Sequence, residues 1–140
     1  MIYVINLQRK VKLETAVYRK FVKELSASVD EAQDKTFSVA FVSDDRMWKL
    51  NWSFRGKDST TDVLSFPHER EPHEQDDSLG DIVISADQAQ KQAEENKLSL
   101  ENEIKQLILH GLLHLCGYDH ETDKGEMNKR EIALRKKLKI

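Results

Sequence analysis

Residues 99–120 read Ser99-Leu-Glu-Asn-Glu-Ile-Lys-Gln-Leu-Ile-Leu-His110-Gly-Leu-Leu-His114-Leu-Cys-Gly117-Tyr-Asp-His120. Ile104, Leu107, Ile108, Leu112 and Leu115 recur at spacings of three and four, which is the pattern of one apolar helix face. Ser99 is placed to cap the start of that helix, and Gly117 to end it through a conformation closed to most side chains. His110 and His114 are four residues apart on the predicted helix, so their imidazoles leave one face about 6 Å apart at the base. His120 follows three residues after Gly117, in position to swing back toward the pair.

Working outward, residues 2–7 read as a strand, and the recurrence of Leu13, Val17, Phe21 and Leu25 reads as an amphipathic helix. Lys12, Arg19 and Lys23 would share its outer face as a modest basic stripe. Residues 37–42 alternate as a second strand, and Ser43, Asp44 and Asp45 cap a short helix carrying Met47, Leu50 and Phe54. Residues 55–61 are polar and aperiodic, which puts Arg55 on a loop that feeds a strand over 62–66, stopped by Pro67. Residues 68–78 are rich in acidic residues and read as an exposed loop, with His68 and His73 facing solvent. A strand over 79–84, a Ser85-capped helix over 86–96 and a terminal helix marked by Met127, Leu134 and Leu138 complete the chain. The order predicts an α+β fold: a small mixed four-stranded sheet packed against about five helices, with residues 1–140 as a single domain.

The 140 residues carry a net charge of −3, which argues against a protein that coats nucleic acid by charge alone. Any nucleic-acid role needs a local basic face, and basic residues cluster near the start and over residues 129–139. Cys116, the single cysteine, excludes an intrachain disulfide and a Cys-rich metal cluster, and it reads as core packing. No apolar run approaches the roughly 18 residues of a membrane span, and the first residues lack a signal-peptide core, so a cytoplasmic protein is expected.

Three protein nitrogens, from His110, His114 and His120, suit one zinc-type divalent ion with its fourth position left for water. The spacing matches that of metzincin-type zinc proteases except at Gly111, where those enzymes carry the glutamate that deprotonates the water. Peptide hydrolysis is therefore disfavoured, and a phosphodiester is the better-suited substrate. Such a substrate needs a cation at its non-bridging oxygens, a task that falls to Arg55.

The string from His110 to His120, with Arg55-Gly-Lys-Asp-Ser-Thr-Thr-Asp-Val-Leu-Ser-Phe-Pro67 and Leu79-Gly-Asp-Ile-Val-Ile-Ser85, closely resembles the YbeY family of bacterial endoribonucleases in order and spacing. The resemblance implies a metalloprotease-like fold and a metal-dependent, single-strand-specific endoribonuclease acting in ribosomal RNA maturation, at the small-subunit RNA 3′ end, and in ribosome quality control. By position it makes His110, His114 and His120 zinc ligands and Arg55 a functional residue. Single-stranded RNA, ribosomal RNA and the small ribosomal subunit are the implied partners; neither DNA nor a membrane is expected. Thr60 stands where the family commonly has Pro, so the loop after Arg55 is expected to be less rigid here. Asp62 and Asp119 are the candidates for supporting the ligands, and the attacking group, water or the RNA 2′-OH, stays open. Two other readings compete: a zinc metallopeptidase-like hydrolase, and a non-catalytic ribosome-associated module pinned by zinc.

Overall fold

Four runs rich in β-branched and aromatic residues, Tyr3–Asn6 (β1), Thr36–Val42 (β2), Val63–Pro67 (β3) and Ser78–Ser85 (β4), pair into one sheet of order β1-β2-β4-β3. The structure, a computed structural model, describes residues 3–69, 77–119 and 122–140. Strands β1, β2 and β4 are parallel, while β3 lies antiparallel to β4 at one edge. Parallel neighbours need a crossover, and Thr15–Ser28 (α1) supplies it between β1 and β2. Asp44–Arg55 (α2) leads to β3, and Ala86–Asn96 (α3), Leu100–Leu115 (α4) and Glu126–Leu138 (α5) follow β4. This is the expected α+β order.

Strand alternation sorts the residues into two layers. Val39, Phe41, Ile82 and Ile84 face Tyr18, Phe21, Val22 and Leu25 of α1 and the apolar stripe of α4, forming the main core. The opposite face presents Val42, Leu64, Phe66 and Val83 to Met47 and Leu50 of α2, forming a smaller core. Ser43, Ser85 and Ser99 each cap their helix by accepting from a backbone N–H three residues on, those of Arg46, Gln88 and Asn102.

Two boundaries differ from expectation. The first helix starts at Thr15, and its buried residues are Tyr18, Phe21, Val22 and Leu25, with Leu13 and Val17 only half-buried. The preceding turn is closed by Gln8, whose Nε2 donates to the Val11 carbonyl at 2.7 Å while its Oε1 accepts from the Val11 N–H at 2.9 Å, a side-chain pairing that replaces helix bonds. Lys12 thus precedes the helix, and only Arg19 and Lys23 of the basic stripe lie on it. Arg55 is in the last turn of α2 and not on a loop. Gly56, at φ 65°, makes the left-handed cap that lets the helix run through Arg55, its N–H donating to the Trp52 carbonyl at 3.0 Å. The acidic loop before Ser78 falls, over residues 70–76, outside the described residues, and His73 with it.

Helix α4 lies unusually close to the sheet at Gly111. A Cβ built there would stand 2.8 Å from Cγ2 of the fully buried Ile82, and the Ser65 hydroxyl donates to the Gly111 carbonyl at 3.0 Å. Gly111→Ala should therefore destabilise the protein by about 1–3 kcal/mol, although alanine is by itself the better helix former by about 1 kcal/mol. Thermal melts of Gly111→Ala in the wild-type and Ile82→Ala backgrounds check this. The cost must shrink or reverse in the second background, and additive effects would sink the explanation.

Candidate metal centre

His110 and His114 leave α4 on the same face, one turn apart, and their Nε2 atoms stand 3.1 Å from each other. The chemistry of the remaining ring nitrogens fixes what those two atoms are. His114 Nδ1 lies 2.9 Å from the Tyr118 carbonyl, and since a carbonyl only accepts, Nδ1 carries the proton. His110 Nδ1 is hydrogen-bonded to the Glu131 carboxylate of α5. Burial pushes the Glu131 carboxyl up, but the hydrogen bond and charge of His110, with Arg135, outweigh it and hold the group below the usual carboxylate range. Glu131 is thus ionised at neutral pH, and His110 Nδ1 is the donor.

With the Nδ1 of each ring turned to an acceptor, the two Nε2 atoms converge on one place, where a cation can lie between them. Two nitrogens each about 2.05 Å from a tetrahedral zinc-type ion would lie about 3.3 Å apart, close to the separation here. The donor set fits such an ion, and a partner on each outer nitrogen is the usual arrangement for metal-binding histidines. His120 lies outside the described residues. Among the described residues no third His, Cys, Asp or Glu joins the pair to make a three-donor group.

The turn that leads to residue 120 is tied down. Tyr118 gives its carbonyl to His114, and Arg130 of α5 holds Glu31 at 3.0 Å. Burial pushes the Glu31 carboxyl up, but a hydrogen bond from its own backbone N–H, with the hydrogen bond and charge of Arg130, outweighs it and keeps the carboxyl low. Cys116, at the end of α4, is half-buried against the main core, and burial pushes its thiol up to about 11, so it stays protonated and inert.

A cleft of about 520 Å³ opens beside His110, walled by Asp62, Gln92, Asn96, Glu103, Gln106 and Arg135. Its wall is polar and mixed in charge, with Glu103 buried and held by the Asn96 amide at 3.2 Å. Asp62 therefore borders the site, but its carboxylate accepts from the Val63 N–H at 2.8 Å. Asp119 is exposed. Arg55 is exposed on α2, which covers the sheet face opposite α4, so it is not brought against the histidines. Gly111 faces Ile82 of β4. The position that holds the base in metzincin-type proteases is turned into the core here, with no room for a glutamate.

Sequence reasoning missed Glu131 and Arg135, both on a terminal helix that carries no motif. The signal was present: Met127, Glu131, Leu134 and Leu138 share one helical stripe, and a carboxylate in a buried stripe asks for a partner.

The model of the family described as Endoribonuclease YbeY matches residues 3–139. A relative of that name from Nautilia profundicola is 46% identical over 123 residues, covering 88% of this chain and 86% of the relative. One from Helicobacter pylori is 46% identical over 109 residues, covering 78% and 76%. The solution structure of a Thermotoga maritima protein superposes with a TM-score of 0.66 at 30% identity, over 99% of this chain and 89% of that one. The chain belongs to the YbeY endoribonuclease family, a family of hydrolases.

Glu131→Gln removes the charge behind His110 and should weaken binding of zinc by about 10- to 100-fold. Competition against a chromogenic chelator measures this. Unchanged affinity would show that Glu131 does not orient the ligand.

Proposed function

We propose that the chain is a metal-dependent endoribonuclease specific for single-stranded RNA, with zinc held by His110, His114 and His120. The observation that carries this reading is the pair of Nε2 atoms aimed at one point and backed by Glu131 and Tyr118, in a chain whose family is named for RNA cleavage. In this role the protein matures ribosomal RNA at the 3′ end of the small-subunit RNA and takes part in ribosome quality control, with the small ribosomal subunit as partner, in the cytoplasm. Among the described residues no helix is long and apolar enough to cross a membrane.

When bound, the metal supplies a Lewis acid for the scissile phosphate and lowers the pKa of a coordinated water. The chain's own residues do the rest. Glu131 and the Tyr118 carbonyl keep both Nδ1 protonated, so both Nε2 would be free to hold the ion. The amides and carboxylates of the adjoining cleft offer hydrogen bonds to a nucleotide, and the cleft is large enough to hold one. Arg55 offers its guanidinium to phosphate oxygens of a strand that passes around the β3 edge from the α2 side. With position 111 packed against Ile82, the chain has no room for the peptidase's general base at that place.

Metal analysis combined with cleavage of matched single-stranded and duplex RNA tests the proposal. Wild-type protein should cut the single strand only, and His114→Ala should lose both metal and activity, the latter by more than about a hundredfold. Arg55→Ala should keep its metal while losing about tenfold in cleavage through weaker binding of the strand. Undiminished cleavage by that variant removes Arg55 from the mechanism, and a metal-loaded protein that cuts no RNA leaves the non-catalytic module.

A further inference from the structure

The chain has two tryptophans, and both are on the outside of one helix. Trp48 and Trp52 of α2 are 46% and 58% exposed, one turn apart. Arg55 comes three residues later, so the three side chains form a single stripe, turned away from Met47 and Leu50 that bury the helix on the sheet. The core does not need these rings, and neither has an aromatic or cationic partner among the described residues. Trp48 is nonetheless held: its indole N–H donates to Asp58 at 2.8 Å, which fixes the ring by its edge.

The charges around the stripe are unbalanced. Of the carboxylates nearby, Asp44 accepts from Thr60, Ser85 and Gln88 and Asp58 holds Trp48, so only Asp45, exposed in the first turn of α2, sets a negative charge against the cations. Lys49, Arg55 and Lys57 are exposed and form no ion pair among the described residues. Aromatic faces beside free cations suit a ligand with flat apolar rings and a polyanionic backbone. The cores of protein interfaces are enriched in tryptophan and arginine but depleted in lysine, and two of the three cations here are lysines.

We propose that the outer face of α2 is a stacking platform for single-stranded RNA, Trp48 and Trp52 taking unpaired bases while Arg55, Lys49 and Lys57 meet the phosphates; this rests on the endoribonuclease reading. The backbone positions of Trp48 and Trp52 are about 6 Å apart along the helix axis, nearly twice the roughly 3.4 Å step of a stacked strand. The platform therefore takes bases that have unstacked, and a duplex, whose bases are paired inward, offers it nothing. It makes strand selectivity a property of a surface separate from the histidines.

Because these are the only tryptophans of the chain, intrinsic tryptophan fluorescence reports on this face alone. Titrating the full, metal-loaded protein with a short single-stranded RNA carrying uncleavable linkages should quench it, and the matched duplex should not. Trp52→Ala and Trp48→Ala should each weaken binding by about tenfold, and Trp52→Phe should restore most of the loss. Circular dichroism establishes that the variants fold. Cleavage of single-stranded RNA without quenching, with both alanine variants binding like wild type, would overturn the platform and leave the catalytic reading intact. Quenching without any cleavage would uphold the platform and sink the catalytic reading. Equal quenching by duplex, or self-association that Trp52→Ala abolishes with RNA binding unchanged, would also overturn it.

Discussion

The approach of α4 to β4 at Gly111 is the constraint on which the rest of the site depends. A helix can aim two side chains at one point in space only if its rotation and height over the sheet are set. Here both are set by the absence of a side chain at residue 111, with Ile82 filling the space. The Ser65 hydroxyl pins the same turn from β3. With Gly111 turned into the sheet, His110 and His114 are carried up and outward, away from the core, half-buried and side by side. The same glycine that separates this chain from a protease in sequence is thus a packing requirement in structure.

Orientation of the two rings comes from elsewhere in the chain. A histidine on a helix can present either nitrogen, and the choice falls to whatever meets the other one. Glu131 makes that choice for His110 from α5, and the Tyr118 carbonyl makes it for His114 from the turn after α4. Arg135 and Arg130 in turn hold Glu131 and Glu31. The terminal helix therefore acts as a brace for the metal-binding face.

On the other layer, a similar lacing ties residues 57–60 to α2. Trp48 bonds Asp58, the Asn51 amide donates to the Ser59 carbonyl at 2.8 Å, and Thr60 bonds the Asp44 carboxylate. The Thr60 hydroxyl anchors this loop to the first turn of α2 by that hydrogen bond. Asp44 also receives Ser85 and Gln88, so the start of α2, this loop and the start of α3 meet at one carboxylate.

Much of this was legible in the residues themselves. Period and capping decide local structure within a few turns of chain, which is why the element order, the three serine caps and the shared face of His110 and His114 could be read directly. The first helix misled because Gln8 closes a turn with its own side chain, and Arg55 because a glycine cap extends a helix past its last apolar residue. What periodicity has no access to is which distant groups meet. Only the folded chain could bring Glu131 to His110 across 21 residues, put α2 and α4 on opposite faces of the sheet, and turn Gly111 inward. Those outcomes depend on how helices pack over a sheet, a balance of contacts between segments that no local spacing records.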